Sequence, residues 1–391
     1  MIMREKLEAD LFCSLLMAGK IMNGTQIRLL MGRNGLNSLE ELYYARSELL
    51  NEKEFSLKQK ENWKKLQESK VYKEFPEYVD LAESSGIGSF DFFDPVYPSY
   101  LHHLPNMPLV LYYKGDLSLL DESRSRVAIV GTRRPSYYGR RVTREFSRNL
   151  ALHDVVIISG LARGVDGTAH MSCLECGGKT IAVMPCGLDQ VYPGEHKELF
   201  ERISREGLLL SELAPCQPIT RQYFPARNRI LSALSDCVLI TEAGRNSGTL
   251  HTASFAAAQS REVFAVPNTV YSETSEGNLL LLKDGAQIAT EPEDIMAYLA
   301  NVAFFRELLE IKEEYEQNKL RKKISQEPEK VTENEIRKLI LEMISSMAVS
   351  TDDIVKELGL PYSHVAKVLG KMELEGKIQK DRQKYVLTIR L

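Results

Sequence analysis

The chain has 391 residues, too many for one ordinary hydrophobic core, so two or three domains are expected. Its net charge of −4 excludes a uniformly basic nucleic-acid binder and leaves any such role to a local patch. No apolar run reaches the roughly 20 residues of a membrane span, acidic residues precede the first apolar stretch, and the six cysteines show no paired framework, so a cytoplasmic protein with reduced thiols and no membrane partner is expected.

Residues 1–75 read as a helical domain. LEADLFCSLLMAGK and TQIRLLMGRNG carry apolar residues at helical spacing, broken by glycines, and SLEELYYARSELL follows with Ser38 at the N-cap position. Residues 76–115, rich in proline and aromatics, read as a connector that ends in a strand, LVLYY. From 116 to 300 the pattern turns regular. The short apolar runs VAIVG, VVIIS, TIAVM, LLLS, CVLIT and VFAV alternate with helical segments near 139–152, 166–176, 195–205, 226–234 and 248–260. Strands buried on both faces, alternating with helices, predict an α/β, doubly wound, mainly parallel sheet. Residues 301–330 are dense in Lys and Glu and read as a helix running into a charged linker. Residues 331–391 give three helices and a hairpin, the order of a winged helix.

Three glycine-rich turns follow strands. The first, GTRRPSYYG (131–139), puts Arg133 and Arg134 beside a tight turn that opens a helix, where backbone N–H groups can face an anion and guanidinium groups can grip phosphate oxygens. Around it Arg124, Arg126, Arg140, Arg141, Arg144 and Arg148 stand against the single acid Glu145. The helix arginines could equally be a solvated face. The second turn is SGLARGVDGTAH (159–170), with Asp166 able to cap the next helix and His170 one turn on. Capping and a packed histidine are the simpler reading of that pair. The third, EAGRNSGTLHTA, offers Ser247, Gly248 and Thr249 at a helix start. In a doubly wound sheet all three turns fall at the carboxyl edge of the strands, where ligands bind.

Two motifs are set aside. GGKT (177–180) resembles the end of a phosphate-binding loop, but Cys173 stands where its first glycine belongs and the motif precedes a strand. Cys173 and Cys176 form a lone C-x-x-C inside a predicted helix, which suits packing better than zinc. No metal, cofactor or catalytic residue is assigned.

The ordered series YPSYLHHLPNMPLVLYYKGD, VAIVGTRRPSYYG, ISGLARGVDGTAH, AVMPCGLDQVYPGEHKEL, FPARNRILSALSD, EAGRNSGTLHTA and VFAVP resembles the DprA/Smf family over roughly residues 95–295. The resemblance implies an extended Rossmann-like domain and a basic pocket that binds single-stranded DNA. It also implies a homodimer through that domain, and delivery of DNA to the RecA recombinase in natural transformation. By position it implies a first clamp of Gly131, Thr132 and Arg133, with Arg134 and Ser136 in the same turn. Ser159, Gly160 and Arg163 would line the second turn, Lys197 would add a basic contact, and Arg227, Asn228 and Arg229 would hold the pocket or touch DNA. Ser247, Gly248 and Thr249 would complete it. The chain departs from the family pattern at Pro185, His196 and Asn268, at Cys173 and Cys176, and in EGNLLLLKDGA, where Asn278 falls one position early and Leu279 occupies its place. The N-terminal region resembles a SAM-like or helix-hairpin-helix-like module. Two alternatives remain open. One is a nucleotide hydrolase of the lysine-decarboxylase-like class, although the P-G-G-x-G-T-x-x-E signature is missing. The other is a winged-helix transcription regulator.

Overall fold

The structure, a computed structural model, describes residues 2–46, 56–217, 219–326, 332–346, 349–381 and 384–387. Contacts group them into two compact units, Met1–Gly24 with Ser38–Ala303, and Thr25–Asn37 with Phe304–Leu391.

The chain begins with helices α1 (Ile2–Ala18), α2 (Gly24–Asn34), α3 (Leu39–Tyr44), α4 (Leu57–Glu68), α5 (Lys70–Lys73) and α6 (Phe75–Ser84). Ser38 caps α3, its hydroxyl accepting the Glu41 N–H. The stretch expected as a connector does more than connect. It supplies β1 (Gly88–Asp91) and β2 (Val110–Gly115), which pair antiparallel with one another. Phe90, Leu111 and Tyr112 are buried there, so this aromatic segment folds into the sheet and not over it. A charge cluster ties α1 to it: Lys6 Nζ lies 2.6 Å from Asp91 and 2.9 Å from Asp94. Burial pushes the neighbouring Asp10 carboxyl well above the usual range, with Lys6 pulling the other way.

The regular region follows in order: β3 (Arg126–Val130), α7 (Tyr137–Leu152), β4 (Val156–Ser159), α8 (Val165–Glu175), β5 (Thr180–Met184), α9 (Lys197–Glu206), β6 (Leu208–Ser211), α10 (Tyr223–Ala233), β7 (Cys237–Ile240), α11 (Thr249–Ala258), β8 (Glu262–Ala265), α12 (Glu276–Lys283) and β9 (Gln287–Ile288). The nine strands lie in the order β1-β2-β6-β5-β4-β3-β7-β8-β9. From β6 to β9 every pairing is parallel, while β2 runs antiparallel to β6. Residues of β3 to β7 are buried throughout, which is why these strands read as unbroken apolar runs. Helices α7 and α8 pack on one another, and their Phe146, Leu150, Ala169 and Cys173 share a core with Val127, Ile157 and Leu239 of the sheet. Helices α10 and α11 pair and cover β5, β7 and β8. The chain builds outward from β3 to β6, then returns to lay β7 on the other side of β3. Strand order therefore reverses between β3 and β7, the place where a doubly wound sheet opens a crevice.

The long helix α13 (Pro292–Gln326) runs through most of the segment expected as a linker. Its Glu, Lys, Leu and Arg are all good helix formers, so the expected helix continues through residues expected as charged linker. Beyond it lie α14 (Glu333–Ser346), β10 (Val349–Ser350), α15 (Thr351–Leu358), α16 (Tyr362–Leu374), β11 (Ile378–Asp381) and β12 (Lys384–Leu387). The three strands pair in the order β10-β12-β11 around a core that includes Ile340, Ile354, Val365 and Leu369. This is the expected winged helix, with Ser350 and Asp353 forming a capping box at α15. Among the described residues no helix is long and apolar enough to cross a membrane.

Candidate functional site

A cleft of about 370 Å³ opens at the carboxyl edge of the sheet, between the turns that follow β3 and β7. Gly131 and Arg133 line it from the first turn, Ser247, Gly248 and Thr249 from the third, and Arg227 and Asn228 from α10. A Cβ at Gly131 would lie 2.5 Å from Val165 Cγ2 and 2.8 Å from the Glu242 carbonyl oxygen, so the turn requires glycine. The Thr132 N–H donates to Glu242 O at 2.7 Å, and the Ser136 N–H donates to Glu242 Oε2 at 2.7 Å. Ser136 in turn caps α7 by accepting the Gly139 N–H at 3.0 Å. Glu242 is fully buried and also accepts the Thr274 hydroxyl at 2.6 Å. One carboxylate thus fixes the first turn to the end of β7. Arg133 and Arg134 remain exposed. The Arg133 guanidinium lies over the Phe224 ring, 5.1 Å from its centre, and Phe224 is braced edge-on by Tyr192.

In the third turn the Ser247 hydroxyl donates to Thr249 Oγ1 at 2.9 Å and accepts the Thr249 N–H. Nothing lies within 4 Å of where a Gly248 Cβ would stand, so the space ahead of α11 is open. The positive end of that helix faces it.

The second turn behaves differently. Its first three N–H groups after β4 are already taken: Gly160 and Ala162 donate to Asp166 Oδ2, and Leu161 donates to His170 Nε2. Its carbonyls are taken as well. Arg227 donates to Gly160 O at 2.9 Å and to Val183 O, and His196 Nδ1 donates to Leu161 O at 3.0 Å. Asp166 is therefore not the N-cap of α8, a position held by Gly164; it occupies the place an anion would take. Burial pushes the Asp166 carboxyl up, with Arg227 and the two N–H groups opposing, and burial lowers the Arg227 guanidinium to about 10. Burial also lowers His170 to about 3. With Nε2 accepting from Leu161, the His170 proton belongs on Nδ1, which donates to Thr180 Oγ1 at 2.7 Å. This neutral, enclosed imidazole is a packed histidine.

The expected site residues therefore divide. Gly131, Arg133, Arg227, Asn228, Ser247, Gly248 and Thr249 come together around the cleft. Thr132, Arg134 and Ser136 build or flank its first turn without lining it. Ser159 is buried and donates to Ile129 O, Gly160 packs against Arg227, and Arg163 forks onto Glu195 in the solvent. Lys197 is exposed at the start of α9, and Arg229 pairs with Glu212 at 2.6 Å beside a separate recess of about 700 Å³. Arg126, counted in the basic patch from sequence, is buried: it donates to Leu120 O and lies against Tyr100. Among the family departures, His196 takes over a backbone contact. Asn278 is buried, accepts the Ala243 N–H and donates to Ile240 O and Val266 O. Cys173 is a buried thiol pushed up to about 12. Sequence reasoning missed Glu242 and Phe224; the second lay in the quoted FPARNR motif, one residue before the proline.

Comparison with known proteins places this geometry in context. A family model of DNA recombination-mediator protein A matches residues 89–300, and one of the DprA winged helix domain matches residues 325–381. Protein Smf of a Synechocystis strain is 43% identical over 212 residues, covering 54% of this chain and 53% of that relative, so the match spans about half of its length. The X-ray structure of DNA processing protein A from Streptococcus pneumoniae is similar with a TM-score of 0.52 at 36% identity, covering 60% of this chain and 84% of that one. DNA processing protein A from Helicobacter pylori, solved for its single-stranded DNA binding mode, gives a TM-score of 0.50 at 34% identity, covering 55% and 96%.

Proposed function

The chain belongs to the DNA recombination-mediator protein A family, and from that membership and the cleft we propose that it binds single-stranded DNA, protects it and delivers it to the RecA recombinase in natural transformation. We assign this to a cytoplasmic homodimer formed through the Rossmann-like domain, acting as a binder and not as an enzyme. The observation that carries the reading is Arg133. It is exposed at the cleft mouth, forms no ion pair among the described residues, and lies over an aromatic ring beside the open start of α11. A guanidinium there can hold a phosphate while Phe224 offers a face to an unpaired base. A duplex hides its base faces, so the pair favours a single strand. The Helicobacter pylori relative, which binds single-stranded DNA, supports the same assignment. The enclosed state of His170 supports a binder, because both of its ring nitrogens are spent inside the fold.

The test is fluorescence anisotropy with a labelled oligothymidylate and a duplex of equal length across a salt series. Tighter binding of the single strand is expected, with log K falling linearly against log salt. Equal affinity for both, or indifference to salt, would overturn the proposal. RecA delivery adds a second expectation, faster RecA filament growth on single strands when the protein is present. Unchanged filament growth would remove that part.

A further inference from the structure

Helix α7 carries more unpaired positive charge than the cleft uses. Between residues 133 and 148 stand six arginines and one acid, in a chain whose net charge is −4. Arg140, Arg141, Arg144 and Arg148 are all exposed. Arg4, Arg163, Arg202, Arg229 and Arg337 are each held in an ion pair, yet among the described residues the four α7 arginines have none. At about 100° per residue, Arg140, Arg144, Arg148 and Arg141 fall within roughly one quarter to one third of the helix circumference. Tyr137, 84% exposed, falls in the middle of that arc. Successive arginines of the 140, 144, 148 row are spaced roughly 6 Å along the axis. The row also joins the cleft: Arg140 Nε reaches back to the Pro135 carbonyl oxygen, in the turn that carries Arg133 and Arg134. The Tyr138 hydroxyl anchors the start of the helix to Pro267 O.

We propose that the outer face of α7, formed by Tyr137, Arg140, Arg141, Arg144 and Arg148, is a second binding track, along which the phosphodiester backbone of a single strand runs after it leaves the cleft. The proposal rests on the reading of the cleft as a single-strand site. Unpaired arginines at regular spacing suit a chain of phosphates, and an exposed tyrosine among them suits base stacking, the two elements of sequence-tolerant single-strand recognition. The cleft would hold one part of the strand, and α7 would add affinity in proportion to the length beyond it.

The experiment compares the full-length protein with Arg144→Ala/Arg148→Ala, using one oligothymidylate just long enough to fill the cleft and another three times as long. Both side chains are exposed, and thermal melting checks that the variant folds. Short-oligonucleotide binding should be unchanged. Affinity for the long one should fall about tenfold at low salt, and its log K against log salt should flatten by about 1.4, the share of two lost phosphate contacts. Tyr137→Ala should lower long-strand affinity about fivefold, the loss of one stacked base. If the long oligonucleotide binds the double variant as it binds the parent, with the same salt slope, the track is wrong and the arginines serve another partner, such as an acidic protein surface. Failure of the cleft reading would show separately, as short-strand binding that ignores Arg133→Ala.

Discussion

Two glycine-rich turns stand at the same edge of one sheet, and they differ in who satisfies their backbone. The turn after β3 leaves two arginines in solvent at a cleft. The turn after β4 looks as suitable in sequence, yet Asp166, His170, Arg227 and His196 have taken the N–H groups of Gly160, Leu161 and Ala162 and the carbonyls of Gly160 and Leu161. The difference follows from topology. The crevice of a doubly wound sheet lies where strand order reverses, here between β3 and β7, and the turns of those two strands frame it. The turn after β4 reaches the same cleft through Ala162 and Asp166, but there its internal carboxylate does for the fold what a ligand does for the open turns.

The comparison breaks most visibly at Arg227. Arg227→Met removes the cation beside the buried Asp166 and leaves two carbonyls without donors, so unfolding free energy should drop by about 4 kcal/mol. Denaturant titration reads this; a loss below about 1 kcal/mol would mean that the closed turn does not depend on it. Gly160→Ala is milder. Its Cβ would sit 2.2 Å from the Arg227 guanidinium, and about 2 kcal/mol of stability should go, with no comparable loss from Gly248→Ala in the open turn. Equal losses at both positions would erase the distinction.

A smaller effect concerns pH. His170 is held near 3, below its ordinary 6.5, so as pH falls below 6.5 the unfolded chain takes up a proton that the folded form refuses. Stability should fall by on the order of 1 kcal/mol per pH unit through that window. Asp166, whose carboxyl is raised, acts in the opposite sense and is common to parent and variant. The slope between pH 6.5 and 5 should therefore be shallower in His170→Gln than in the parent. Coincident slopes would place the protonation elsewhere.

Much of this was legible in the sequence. The strand series, the three turns, the winged helix and the place of Arg133 in the first turn follow from runs of apolar residues and from glycines beside arginines. The closure of the second turn was not, because its partners come from far along the chain; Arg227 lies 67 residues from Gly160. Composition shows which residues could cradle a phosphate, but not whether distant side chains have taken the donors first. Arg126 illustrates the same limit. Counted as surface charge, it is buried against Tyr100, with Nη1 donating to Leu120 O. Glu242 opens the quoted EAGRNSGTLHTA motif, yet its role was not legible, since a lone acid before a turn is ordinary until two backbone N–H groups converge on its strand end. Strand β2 was legible as LVLYY, but β1 and the antiparallel pairing were hidden by the prolines and aromatics between them.

The most direct test pairs one arginine from each turn. Arg133→Ala and Arg163→Ala remove the same charge from two exposed positions, and melting curves can show that both fold. Anisotropy with an oligothymidylate at fixed salt should show affinity lowered about tenfold or more by Arg133→Ala, and held within about twofold by Arg163→Ala. Equal losses, or full binding by Arg133→Ala, would contradict a binding edge built from the turns after β3 and β7.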